Sequence, residues 1–428
     1  MREMMKTIAL ILFILTYVCL LIFSKYRAYI ALGSAVIFVV LGLAGILPRI
    51  DVLAAIDWNV ILMIAGTMGV VSLFIEAKMP SKLADILIEK TPNVKWAIIA
   101  LALFSGIISA FIDNVATVLM VAPVALHISK KLNFSPVSSI IAISVSSNLQ
   151  GAATLVGDTT SILLGGQAHM NFLDFFWFQG RPGIFWVVET GAVITIFVLL
   201  FLFKDHKQPI HSMEQTVVTD YFPTVLLVGI IVLLILASFI EDKPAITNGI
   251  ICISLMVIGL IKKFIQTRDR RTFIDALKEI DYTTILLLAG LFVIIGGIKE
   301  AGVIDDIGKL FVSASDNKFV IFTLITWASV LISAFIDNIP YVATMLPVTS
   351  AIAAALNIDP YILYFGLLVG ATLGGNITPI GASANIAGIG ILRKEGYEVS
   401  TKEFMKISVP FTLAAVISGY LLVWFIWA

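Results

Sequence analysis

The chain is short of charge, of cysteine and of histidine, and each shortage closes off a class of function. Only 13% of its 428 residues are charged, and acids and bases balance at 28 each. A neutral chain of this kind offers no electrostatic footprint for nucleic acid. The two cysteines, Cys19 and Cys252, lie in separate apolar runs and read as small hydrophobes, not as a disulfide or a metal pair. Four histidines without His-Glu-x-x-His or Cys/His ligand spacing give metal-dependent hydrolysis no support. No nucleotide-binding P-loop occurs, and no nucleophile–base pair stands out. Neither an enzyme nor a resident cofactor is expected, and any energy for movement of a solute should come from an ion gradient.

What the chain has in abundance is apolar surface. Hydrophobic residues make up 59% of it, and the mean hydropathy is +1.03. A single core cannot hide that much apolar area, so the solvent is lipid. An integral membrane protein is expected, placed in a prokaryotic cell (inner) membrane. Apolar runs long enough to cross a bilayer lie near 8–24, 28–47, 58–76, 182–203, 222–240, 244–262, 282–299 and 408–427. The first run lacks a small-residue cleavage site and reads as a span, not a signal peptide. Two further regions, 96–130 and 319–356, are broken in the middle by Asp-Asn. Two more, 136–170 and 359–391, are broken by Gly, Thr, Asn and Pro. Irregular backbone is not tolerated against lipid, so these breaks must face protein or a watery cavity.

The chain also contains itself twice. Ser109-Ala110-Phe111-Ile112-Asp113-Asn114 recurs as Ser333-Ala334-Phe335-Ile336-Asp337-Asn338, and residues 105–126 share 11 of 22 positions with 329–350. The same offset pairs Ala65-Gly66 with Ala289-Gly290, Gly151 with Gly375, Thr154 with Thr378 and Gly157 with Gly381. Read as a re-entrant hairpin at each Asp-Asn and a broken span at each Gly/Thr cluster, each copy has five crossings plus one hairpin. An odd number of crossings inverts the second copy. The expected fold is an all-α polytopic membrane protein of two inverted repeats with broken helices at the midplane. The first repeat spans 1–203, a cytoplasmic linker 204–220, and the second repeat 221–428. The basic residues agree. Connections 24–27, 77–95, 130–135, 204–220, 262–281 and 392–407 hold 20 of the 28 Lys and Arg and should be cytoplasmic. Segments 78–90 and 302–312 mix charge with periodic apolar residues and suit helices lying in the interface plane. Trp177, Trp186, Trp424 and Trp427 suit an aromatic belt.

Repeat-built membrane folds place substrate and ion sites where the repeats meet. Asp113 and Asp337 are then the central residues, because a carboxylate at mid-bilayer costs about 3 kcal/mol on insertion scales and must face a cavity. Such a group can carry a proton or coordinate Na⁺, so both are candidate Na⁺ ligands. A helix cap is the competing role, since the second hairpin arms begin at Val115 and Ile339, with Pro340 in the first turn. Asn114 and Asn338 add neutral donors beside them. No Lys or Arg falls in the cores of the interrupted segments, so backbone amides at the helix starts are expected to do most of the work on an anionic substrate. The broken spans supply Asn148, Gly151, Thr154, Gly157 and Asp158 in one copy. The other supplies Gly375, Asn376, Thr378, Gly381, Ser383 and Asn385. Packing is the competing role for the small ones. Asp158 aligns with Ala382, so the copies are not chemically equivalent.

The strings SAFIDNVATVLMVAPV with GAATLVGD, and SAFIDNIPYVATMLPV with LGGNITPIGASANIAG, resemble the ion transporter superfamily. Within it they are similar to the branch of the P protein, the arsenical-pump permeases and the citrate-transporter-like permeases. The resemblance covers essentially the whole chain. It implies two inverted repeats, hairpins meeting at a central site and an elevator-like movement. By matching motif, it makes the two Asp-Asn pairs site residues and the Gly/Thr/Asn clusters their lining. Relatives often continue Gly157-Asp158 as Pro-Pro-Asn, whereas here Thr159, Thr160 and Ser161 follow. The carboxylic-acid branch usually carries Ser-Asn-Thr at its hairpin tips, where this chain has Asp-Asn. The expected activity is secondary active transport of a small anion or oxyacid, arsenite-like or organic, coupled to H⁺ or Na⁺. A Na⁺/H⁺ antiporter is the alternative and a passive channel a third. The expected partners are that small inorganic or organic ion and the lipid bilayer, and the expectation admits a homodimer.

Overall fold

In the computed structural model the described residues are 2–132, 134–209, 216–268, 277–278 and 280–428. His211, Arg270 and Arg271 of the expected cytoplasmic connections lie outside them. The described chain is almost wholly helical, with one two-residue β-ribbon pairing Trp177–Phe178 with Arg181–Pro182. Among the described residues seven helices are long and apolar enough to cross a membrane by length and composition.

The helices recur at the offset of the sequence repeat. Trp58–Glu76 returns as Tyr282–Glu300, Val94–Ser109 as Lys318–Ser333, and Asn114–Leu132 as Asn338–Leu356. The expected interfacial segments are the helices Met79–Glu89 and Val303–Ala314, each entered through a left-handed residue, Lys78 and Gly302. The broken spans are Val137–Gly151 followed by Thr159–Gln167, and Tyr361–Gly374 followed by Ser383–Lys394. Several boundaries differ from expectation, the first span, for example, running from Arg2 to Ile22. The second hairpin arms start at Asn114 and Asn338, one residue early, because Asp113 and Asp337 themselves act as the caps. The helix Thr247–Thr267 runs on through Lys262 and Lys263, and the final helix begins at Thr401 behind a Ser400 cap.

The two copies exchange partners. Helix Arg27–Leu43 packs on Tyr282–Glu300, and Thr247–Thr267 packs on Trp58–Glu76. The crossings fall at Gly66 against Cys252 and at Gly290 against Ala31, where an added Cβ would collide with backbone. Close approach of this kind needs glycine. Ile184–Leu202 and Thr401–Trp427 pack on each other beside these pairs. Trp427 is buried under Phe365, Phe178 and Tyr361, so it belongs to this packing and not to an aromatic belt.

Contacts between helix ends sort into two faces. On the basic one, Lys263 pairs with Glu76, Lys130 with Glu395, and the Val94 and Lys95 amides donate to the carbonyls of Gln208 and His206. The His206 ring also lies 6.4 Å from Phe134. Both ends of segment 94–134 therefore stand at one place, with Asp113 and Asn114 at the far turn between them. Asp220 accepts from Lys262 at 2.9 Å and from the Phe222 amide at 2.9 Å. Partial burial pushes its carboxyl up, but these donors outweigh it and hold the group below the ordinary range. On the other face Lys6 meets Asp306 at 2.6 Å and Arg181 reaches the Ile426 carbonyl at 2.9 Å. Asp57 and Asp281, equivalent caps, lie at opposite faces: Asp57 shares a cavity with Glu300, Asp281 one with Glu76.

Candidate functional site

A cavity of about 780 Å³ runs from Glu76 and Lys263 at the basic face to the turn of the first hairpin. Its deep end is lined by Asp113, Asn114, Gly157, Asp158, Asn338 and Ser383. A second cavity of about 1250 Å³ opens at the other face, between Arg49–Val60, the stretch 238–246, Lys299 and Pro347. The two cavities share no lining residue.

Capping and exposure are shared between the oxygens of one carboxylate. Asp113 Oδ2 accepts from the amides of Val115 and Ala116 at 3.0 and 3.1 Å, a cap that satisfies two orphan donors of the helix start. Among the described residues its other oxygen has no such bond. Asp337 Oδ1 caps the Ile339 amide at 3.2 Å, while Oδ2 accepts from Ser383 Oγ at 3.3 Å and from Arg27. Asp158 is 3% exposed and accepts from Thr160 Oγ1 at 3.0 Å. It lies within electrostatic reach of both Asp113 and Asp337, so the three carboxylates converge on one region. Among the described residues no three His, Cys, Asp or Glu side chains close on a single metal-sized point.

Arg27, which the sequence reading did not single out, adds a cation beside the backbone amides at this site. It sits in a short connection, but its long side chain turns inward from the helix start to Asp337. No motif marks it. Asp337 thereby meets a cation already, whereas no salt bridge forms at Asp113 among the described residues.

Of the remaining candidates Asn114, Gly157, Asn338 and Ser383 also line the cavity, while Asn148, Gly151, Thr154, Gly375, Asn376, Thr378, Gly381 and Asn385 do not. Asn114 Nδ2 donates to Asn148 Oδ1 at 2.9 Å. Asn148 Nδ2 donates to the Thr372 carbonyl at 2.7 Å and to Asn376 Oδ1 at 3.1 Å, and Asn376 Nδ2 donates to the Val145 carbonyl at 2.9 Å. This chain of amides joins the first hairpin to both broken spans. Thr154 and Thr378 donate to the turn carbonyls of Ala110 and Ala334, one in each copy. Gly157 is pressed against the carbonyls of Gly151, Ala110 and Ser109, and Gly381 against those of Gly375, Ala334 and Ser333. The glycines are there because nothing larger fits. Asn385 donates to the carbonyls of Gly375 and Thr378, both at 3.1 Å. Its counterpart Ser161 keeps one of these bonds, to Gly151 at 3.3 Å. The shorter side chain thus preserves half of the clamp across the break.

The pattern of the citrate transporter family (CitMHS) matches residues 10–370. The chain is 29% identical over 430 residues to an uncharacterized transporter of Mycobacterium tuberculosis (Rv2685), covering 98% of each. It is 27% identical over 482 residues to the P protein of Homo sapiens, covering 92% of this chain and 56% of that one. Among solved structures, the YdaH transporter of Alcanivorax borkumensis superposes with a TM-score of 0.57 at 14% identity, over 86% of this chain and 84% of that one. MtrF of Neisseria gonorrhoeae gives 0.54 at 14%, over 85% and 80%. These two likenesses speak for the fold alone. With its apolar helices and its nearly full-length match, this integral membrane transporter belongs to the citrate transporter family.

Proposed function

We propose that the chain is a secondary active transporter that moves a small organic anion, coupled to H⁺ or Na⁺, through two inverted repeats. The observation that carries this reading is the deep end of the 780 Å³ cavity. Two carboxylates without a basic partner among the described residues, Asp113 and Asp158, line it together with an amide, Asn338, and with Arg27, whose guanidinium pairs with Asp337. A proton or Na⁺ is attracted to the first set, and an anion to the second. The opposite placement of Asp57 and Asp281 supports the inversion, and two cavities with no lining residue in common suit access alternating between faces. The family's name supports a carboxylate as substrate, and arsenite remains in the test.

Purified protein in liposomes tests this through accumulation of labelled citrate, succinate, phosphate and arsenite under imposed H⁺ or Na⁺ gradients. Gradient-driven uptake of at least one anion is expected, lost in Asp113→Asn while downhill exchange persists. Undiminished gradient-driven uptake by Asp113→Asn would reject the coupling role. The second reading, a Na⁺/H⁺ antiporter, is favoured by the same carboxylates, Asp113 and Asp158. A Na⁺-driven pH change with no anion present would establish it.

A further inference from the structure

The two halves of the site differ in ways that the repeat does not require. Asp337 has Arg27, but the position equivalent to Arg27 in the second copy is Ile251, and Asp113 is left without a cation among the described residues. Asn114 has Asn148, but the position equivalent to Asn148 is Thr372, whose hydroxyl pairs with Thr160 at 3.1 Å. The amide nitrogen of Asn338 is consequently without a hydrogen-bond partner among the described residues, although Asn338 is 4% exposed and lines the cavity. A buried donor left unpaired is unfavourable unless something arrives to accept from it.

We propose that Arg27 and Asn338 form the receptor for a carboxylate of the transported anion, and that Asp337 is the internal carboxylate that keeps its place. Substrate binds by exchange, taking over the guanidinium from Asp337 Oδ2. The inference rests on the anion reading above. A planar guanidinium fork matches a carboxylate whether that group belongs to the protein or to a ligand. The two oxygens of Asp337 make the exchange local. Oδ1 stays on the Ile339 amide, and Oδ2 still has Ser383 Oγ when Arg27 leaves. Arg27 lines the cavity and its side chain is 22% exposed, so a ligand there can reach the guanidinium. The other charged groups lining this cavity are Asp113, Asp158, Asp281 and the Glu76–Lys263 pair. Releasing Asp337 adds a third uncompensated carboxylate beside Asp113 and Asp158, which the coupling cation then offsets. A neutral oxyacid cannot displace Asp337 in this way.

Binding of citrate to the full-length protein in detergent, measured by calorimetry at neutral pH, tests the exchange. Arg27→Gln should weaken citrate roughly ten- to a hundredfold, and Asn338→Leu roughly tenfold. Asp337→Asn should bind citrate roughly tenfold more tightly, because the internal competitor has lost its charge. A residue that merely contacted substrate would change affinity in the opposite sense. Should Arg27→Gln fail to fold with Asp337 unpaired, the double variant Arg27→Gln/Asp337→Asn removes both charges and should show the same loss. Citrate affinity within twofold of wild type in Arg27→Gln or the double variant, or no tightening in Asp337→Asn, overturns the exchange alone. Wild-type protein that binds and transports no citrate, succinate or phosphate overturns the anion reading, and the exchange with it.

Discussion

Asn148 donates a 2.7 Å hydrogen bond to the main-chain carbonyl of Thr372, the residue 224 positions on that holds the same place in the second copy. A bond between equivalent positions lies close to whatever axis relates the copies, so Asn148 marks the seam of the molecule. Asn148→Ala would leave Asn114 Nδ2, Asn376 Oδ1 and the Thr372 carbonyl without this partner. Each group that water cannot reach loses about 1–3 kcal/mol. A clear fall in the thermal unfolding temperature in detergent is expected, and an unchanged one contradicts the assignment.

Gly157 and Gly381 should refuse even a methyl group. A Cβ at Gly157 would lie 2.6 Å from the Gly151 carbonyl and 2.7 Å from that of Ala110; at Gly381 the neighbours are Gly375 at 2.6 Å and Ala334 at 2.7 Å. These are backbone atoms, which cannot swing aside. Alanine at either position should destabilise by about 1–3 kcal/mol and abolish transport. Gly390→Ala, where a Cβ meets nothing within 4 Å, is the control and should be neutral or slightly stabilising. Equal behaviour of all three would sink the packing argument.

The two cavities predict opposite accessibility. Cys252 is fully buried and Cys19 partly so, and both can be replaced by Ala or Ser to give a clean background. Ser72→Cys lines the cavity at the basic face, and Ala54→Cys the other. A membrane-impermeant thiol reagent should label Ser72→Cys from the cytoplasmic side alone and Ala54→Cys from the outside alone. Labelling of both from one side is incompatible with the arrangement.

Asp220 ties the connection between the copies to Lys262, and its contribution depends on pH in a definite sense. Its folded carboxyl lies below the ordinary value, so the stabilisation is present above the usual carboxylate range and is lost as pH falls through the lower folded value. The side chains are 32% and 37% exposed, which limits the effect to below about 1 kcal/mol. The gap in unfolding temperature between wild type and Asp220→Asn should be small at neutral pH and close below about pH 4. A gap that widens on acidification reverses the sign and refutes it.

Much of this architecture was legible in the letters, and the reason is periodic. A duplicated string carries helix bounds with it, so Trp58–Glu76 and Tyr282–Glu300 match residue for residue. Hydrophobic length placed the spans, and the two Asp-Asn breaks placed the turns. What the letters withheld is which polar residue faces space and which faces protein. Asn148, Thr154, Asn376, Thr378 and Asn385 are as polar as Asp113 and Asn338, yet their bonds go to backbone and to one another. Arg27 was illegible for a different reason. Its position in a connection says nothing of how far its side chain reaches, and its partner lies 310 residues away.

The exchange of partners between Arg27–Leu43 and Tyr282–Glu300, and between Thr247–Thr267 and Trp58–Glu76, has a bearing on ancestry. Neither half supplies the neighbour that its own central helices require. A single-unit forebear would have needed a second copy to supply those neighbours, and fusing the two genes would have made that meeting permanent.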